Sequence, residues 1–282
     1  MAGSATGEGF KARGDEYRGR AGALTLFRIA TRGERQPALP EEDEAFVAEQ
    51  LERWLDGCPD GPLEPGAEAE PALAALLDGW CSTLVHTFAA GPLTVHDALA
   101  AIDGLEDPAC GEQLAAMEIA GLLSPCEDED GEDGDGEMRL AATDWLRRAI
   151  GPLAAAARLE FQLPQGETEP IAPLDVEAAF LLALPLIELP EELQGTCRLT
   201  VPVSGRPPEL AGVVVLVEDG EIASISTDLT IDSNNFASAP PGAWIDTLID
   251  PEVASVDYGG DPQFAFSMLH GLHEVLFAVA VG

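Results

Sequence analysis

Helix start and stop signals crowd the middle of this chain, and their order limits what it can fold into. Residues 71–90 carry Leu73, Leu76, Leu77, Trp80, Leu84, Val85 and Phe88 at helical spacing, and Gly91-Pro92 ends the run. Thr94 is placed as the N-cap of a helix over 95–102, with Asp97 three residues on. Asp107-Pro108 opens a third helix over 108–120, because the aspartate can cap and proline suits the first turn. Gly121 stops that helix and Leu122-Leu123 leaves it extended. Residues 138–142 read as a strand, and Thr143 caps a long helix over 144–161 containing Trp145, Leu146, Ile150, Leu153 and Leu159. The resulting order is helix, helix, helix, strand, loop, strand, helix.

The flanks are less uniform. Residues 1–35 form a basic head that reads as disordered, and 36–65 hold a helix with Phe46, Val47, Leu51 and Leu55 on one side, followed by an acidic linker. After Pro164–Pro173 the pattern shifts. Residues 175–193 read as an apolar helix, 196–203 as a strand and 211–217 (AGVVVLV) as a buried strand, and Glu218-Asp219-Gly220 reads as a hairpin turn into 221–227. Strand character extends over 228–232. A helix around Trp244 (241–249), a strand over 253–258 and a final amphipathic helix over 263–279 complete the chain. The expected class is α+β, with domain boundaries at 66–161 and 170–282.

Charge restricts what these elements can do. The chain has a net charge of −37 on 14 basic residues and 51 acidic ones. No lysine or arginine occurs from Trp54 to Met138, and every residue from Glu127 to Glu137 that is not glycine is an acid. A nucleic-acid duplex repels such a surface, because affinity depends on neutralised phosphates. Cys58, Cys81, Cys110, Cys126 and Cys197 are scattered, odd in number and without a Cys-x-x-Cys pair, so neither a disulfide framework nor a zinc knuckle is expected. No apolar leader and no run long enough to span a bilayer is present, so a cytoplasmic protein without membrane contact is expected.

The central block resembles the HxlR-type winged helix-turn-helix regulators, cousins of the MarR family. The residues that carry the likeness are Trp80 with its apolar helix, Gly91-Pro92-Leu93, Leu114-x-x-Met117-x-x-x-Gly121-Leu122-Leu123, and Thr143-Asp144-Trp145-Leu146-Arg147-Arg148. The segment 27–55 is similar to a wing strand (Ile29-Ala30-Thr31-Arg32-Gly33) and terminal helix of a degenerate first winged helix. Residues 195–278 resemble sterol-carrier-protein-like domains through the Asp219-Gly220 hairpin, the helix around Trp244 and the Gly260-Asp261 turn into the last helix. The resemblance implies DNA as a partner, a homodimer in which helix 144–161 takes part, and an apolar tunnel for a small apolar ligand.

By that resemblance the helix 108–120 would read the major groove, which calls for arginine, lysine, asparagine or glutamine. It offers only Gln113, with Arg139, Arg147 and Arg148 beyond the acidic loop as phosphate contacts. Two readings stand: direct DNA binding, or a retained fold whose DNA face is lost and which serves as a protein-interaction module or ligand carrier. Phe180, Leu184, Leu229, Trp244, Phe264, Met268 and Leu272 are the candidate pocket lining, and they serve equally as a solid core. An EF-hand fails on the acidic loop, since counting from Asp128 puts Asp133 where glycine belongs and Arg139 where glutamate belongs. His270 and His273 are three apart without a third marked ligand, so no metal site is expected. No Gly-x-Gly-x-x-Gly, P-loop or Gly-x-Ser-x-Gly sits in a strand–turn–helix context, so no catalytic residue and no cofactor is assigned, and an enzyme is not expected.

Overall fold

Thr94 does cap a helix. Its hydroxyl accepts from Asp97 N at 3.1 Å and donates to the Asp97 carboxylate at 2.9 Å. In the computed structural model, which describes residues 20, 22–30, 41–126, 138–162, 171–203, 210–253 and 256–277, this opens α5 (Val95–Ala101). Asp107 likewise accepts from Ala109 N at 2.9 Å at the start of α6 (Pro108–Ile119). Thr143 accepts from Leu146 N at 3.2 Å at the start of α7 (Asp144–Arg148). The expectations for the head 1–19, the segment 31–40, the acidic loop 127–137 and the linker 163–170 fall outside the described residues.

Four other elements build the first half: α1 (Ala23–Ala30), α2 (Glu41–Asp56), α3 (Glu70–Cys81) and α4 (Leu84–Ala89). The single helix expected over 71–90 is two, because Thr83 turns left-handed at φ 68 between α3 and α4. The expected wing strand at 29–33 is not one where it is described. Ile29 and Ala30 end helix α1, whose Ala23, Leu26, Phe27 and Ala30 are buried at helical spacing. Three short strands, β1 (Leu93–Thr94), β2 (Leu123–Cys126) and β3 (Arg139–Ala142), form an antiparallel sheet of order β1-β3-β2. The long helix expected over 144–161 breaks at Ala149 into α7 and α8 (Ile150–Gln162).

The second half starts with α9 (Pro173–Ala183), which Pro185 cuts short of the expected 193 through a 3₁₀ turn, Leu184–Leu186. A five-stranded sheet follows: β4 (Gly195–Pro202), β5 (Leu210–Glu218), β6 (Glu221–Ser226), β7 (Asn235–Ser238) and β8 (Asp257–Gly259). Its order is β6-β5-β4-β7-β8, antiparallel except for the parallel β4–β7 pair. The hairpin turn has Asp219 at φ 51 and Gly220 at φ 77, the two positive angles of a type I′ turn that matches strand twist. Residues 228–232 are a turn rather than strand, held by the Asp228 carboxylate accepting from Thr230 N at 3.0 Å. Two helices, α10 (Pro241–Ile249) and α11 (Pro262–Phe277), complete the chain. The class is α+β, with two sheets. No helix among the described residues is long and apolar enough to cross a membrane.

One buried core runs through both halves, from Ala23 to Phe277. Helix α8 is its hub, packed against α1, α2, α10 and α11. Between Ile150 and Glu160 it has no exposed residue, whereas Asp144, Arg148 and Phe161 of the helix expected over 144–161 are exposed.

Candidate functional site

Helix α6 rests on the molecule through Leu114 and Met117, the latter against Gly79 of α3. A side chain at 79 would collide with the Met117 sulfur, so the glycine sets how closely α6 approaches. The opposite face, where a winged helix would meet DNA, exposes Ala109, Glu112, Ala115, Ala116, Glu118 and Ile119. Ile119 is 86% exposed, so this face is apolar and acidic, with no cation on it. Gln113, the single base-reading candidate, is half-buried and its Oε1 is sealed from solvent without a hydrogen-bond partner.

The three candidate arginines part company. Arg139 lies on the central strand β3, opposite Thr94 and Cys126. Arg148 is exposed at the end of α7. Arg147 points into the molecule instead and donates to Leu181 O, near the C-terminal end of α9, at 3.4 Å. Burial lowers its pKa, and the Asp144 carboxylate offsets part of that shift. None of the three arginines lies on α6 itself.

The pocket candidates fare differently. Phe180, Leu184, Trp244, Phe264, Met268 and Leu272 are all in the buried core, with Phe180 edge-on to Trp244 at 4.8 Å. Trp244 Nε1 donates to Thr200 O at 2.9 Å, which fixes the ring beneath β4. Leu229 is half-buried in the turn after β6. None of the seven lines the cleft that the structure does contain. That cleft, about 950 Å³, runs along the seam between the halves. Arg147 and the end of α4 form one wall, and residues 187–191 with the β5–β6 turn form the other. Sequence reasoning missed it because its lining comes from five separated stretches of chain, none with a motif of its own. The one available signal was Arg147, a cation in a helix-opening position inside an otherwise acidic chain.

The seam also holds a polar joint that sequence reasoning missed. Glu177 of α9 is buried, contacts His86 Nε2 of α4 at 2.9 Å and accepts from Gly212 N of β5 at 2.6 Å. Two residues earlier, Asp175 pairs with Arg20 at 2.9 Å and accepts from Ala172 N at 3.1 Å. Burial raises the Asp175 pKa, against the lowering effect of Arg20. Burial also pushes the Cys81 and Cys197 thiols up to about 12, so they stay protonated and unreactive near neutral pH. His273 bonds Leu248 O at 2.8 Å and His270 lies tilted against the Phe266 ring, and no cluster of three metal-ligating side chains occurs among the described residues. Comparison with family models, curated proteins and solved structures returned no match to this chain.

Proposed function

We propose that this chain is a two-part regulator in which a winged-helix unit, α3 to α8, is joined to a C-terminal unit that senses a small ligand. The observation that carries the reading is the combination of element order and sheet order. Helices α5 and α6 are inserted between β1 and the β2–β3 hairpin, the sheet runs β1-β3-β2, and α6 is left on the surface. A β6-β5-β4-β7-β8 sheet with α9, α10 and α11 packed against its core supports the resemblance of the second unit to sterol-carrier-like domains. The packed core under that sheet argues for sensing at the seam rather than in a tunnel.

A second reading has its own support. The acidic and apolar face of α6 suits a protein partner better than a phosphate backbone, and it favours a winged helix used as an interaction module. A salt series on the full-length protein with duplex DNA decides between them. If Arg139 and Arg148 hold phosphates, the logarithm of affinity falls with the logarithm of salt at a slope of about −2, roughly −0.9 per phosphate. Absence of binding at low salt overturns the regulator reading and leaves the interaction module.

A further inference from the structure

Among the described residues Arg147 is the single basic one lining the seam cleft, and it is poorly served there. A guanidinium carries five N–H donors, whereas Arg147 makes one hydrogen bond among the described residues, a long one of 3.4 Å to Leu181 O. Offsetting the dipole at the end of α9 explains that bond and leaves the remaining donors unused. Leu181, Ile187, Ile222 and Ile225 give the cleft an aliphatic lining. The C-terminal half contributes acidic lining. Glu188 and Glu191 come from the stretch after α9, and Asp219 and Glu221 from the β5–β6 turn. Gly220 N donates to Leu193 O at 3.0 Å, which holds these two acidic stretches side by side.

A simple monoanion seated on Arg147 would meet repulsion from four carboxylates, and a simple monocation would meet the guanidinium. A neutral apolar molecule would cover the guanidinium and leave it without partners. We propose that the cleft binds a small elongated zwitterion, with its carboxylate on Arg147, its aliphatic body along the isoleucines and its ammonium toward the acidic lining. The volume, about 950 Å³, is ample for such a molecule. Because Arg147 belongs to the winged-helix unit and the acids to the C-terminal unit, the ligand bridges the two. The proposal rests on the sensing half of the reading above and is independent of DNA binding.

The test is calorimetric titration of the full-length protein, without DNA, with 8-aminooctanoate, octanoate and octylammonium. The zwitterion is expected to bind about tenfold more tightly than either single-charge analogue, the size of one charge-assisted contact. Arg147→Met should weaken 8-aminooctanoate at least about tenfold. The double change Glu191→Gln, Glu221→Gln, at two exposed positions, should weaken 8-aminooctanoate and tighten octanoate. Octanoate binding as tightly as the zwitterion, or no binding by any of the three, overturns the proposal, as does an unchanged affinity in Arg147→Met. Should Arg147→Met fail to fold, Ser224→Tyr fills the cleft from an exposed position on β6. Retained binding in that variant overturns the proposal too. A loss of DNA binding with zwitterion binding intact, or the reverse, separates this proposal from the regulator reading.

Discussion

A buried carboxylate is tolerated only where it is hydrogen-bonded, and Glu177 meets that condition by joining three elements at once. Its two oxygens reach His86 on α4 and the amide of Gly212 on β5. Glu177→Ala leaves that amide without its acceptor and should cost about 2–4 kcal/mol, read by urea unfolding. Gly212 itself admits no side chain: its φ is 144 and a β-carbon would run into the Leu199 carbonyl. Gly212→Ala should therefore cost about 3 kcal/mol, and a variant as stable as the parent would remove Gly212 from the joint. Asp175, two residues away, gives a pH signature. Its folded pKa is raised, chiefly by burial, so the native state holds a proton that the unfolded chain releases first, near pH 3.9. The folded state then binds more protons in that window, and stability falls as pH rises from the unfolded value through the raised one. Against Asp175→Asn, which has no such titration, the parent should lose stability as the pH rises above the unfolded-chain value. A parent that gains stability relative to the variant over that interval contradicts the assignment.

At the scale of elements, α1 shows how a helix is held by a residue far away in sequence. Glu160 of α8 accepts from Gly22 N at 2.8 Å and Thr25 N at 3.0 Å, serving the unsatisfied amides at the start of α1 in place of a local cap. Glu160→Gln removes the charge and turns one donor toward these donors, so it should cost about 1–2 kcal/mol. Hydrogen exchange should report the loss first at α1, and uniform loss across the molecule would show that α1 is held by packing instead. This element also marks the limit of reading structure from sequence. Caps at Thr94, Asp107 and Thr143 and the Asp219-Gly220 turn were legible because each is a local choice made by one side chain or one backbone angle. Strand β7, Asn235–Ser238, was not, because its NFAS sequence has no β pattern. It is a strand because it pairs in parallel with β4, with Asn235 bonded to Thr196 O at 3.1 Å and to Asp261 N at 2.8 Å. The break at Ala149 was legible but passed over: Pro152, just inside α8, has no amide to bond Arg148 O and its ring crowds that carbonyl, so one continuous helix over 144–161 is disfavoured. The candidate DNA contacts were legible as residue types, but Arg147's turn toward Leu181 depends on α9, which lies in the other half.

For the whole molecule the question is whether two halves read separately in the sequence behave as separate folding units. Independent domains have separate cores and few contacts across the boundary. Here the core is continuous, and the hub helix α8 of the first half is covered partly by α10 and α11 of the second. The stacked Trp54–Trp145 pair tightens the same region from the other side: the rings lie 4.7 Å apart and each indole donates to the other residue's carbonyl, at 2.9 and 2.8 Å. Removing the second half would strip α8 of the apolar cover that α9, α10 and α11 give it, and the exposed surface would cost more than a small first half can offset. The two halves should accordingly unfold together. Denaturant-dependent hydrogen exchange on the full-length protein checks this by following peptides from α3 and from β4–β5. Protection is expected to disappear at one common denaturant concentration for both. Glu177→Ala, which cuts the joint at the seam, should move both transitions by the same amount. Loss of β4–β5 protection while α3 remains protected would mean that the halves are autonomous, and a ligand bridging them at Arg147 would then act by docking two domains rather than by stabilising one body.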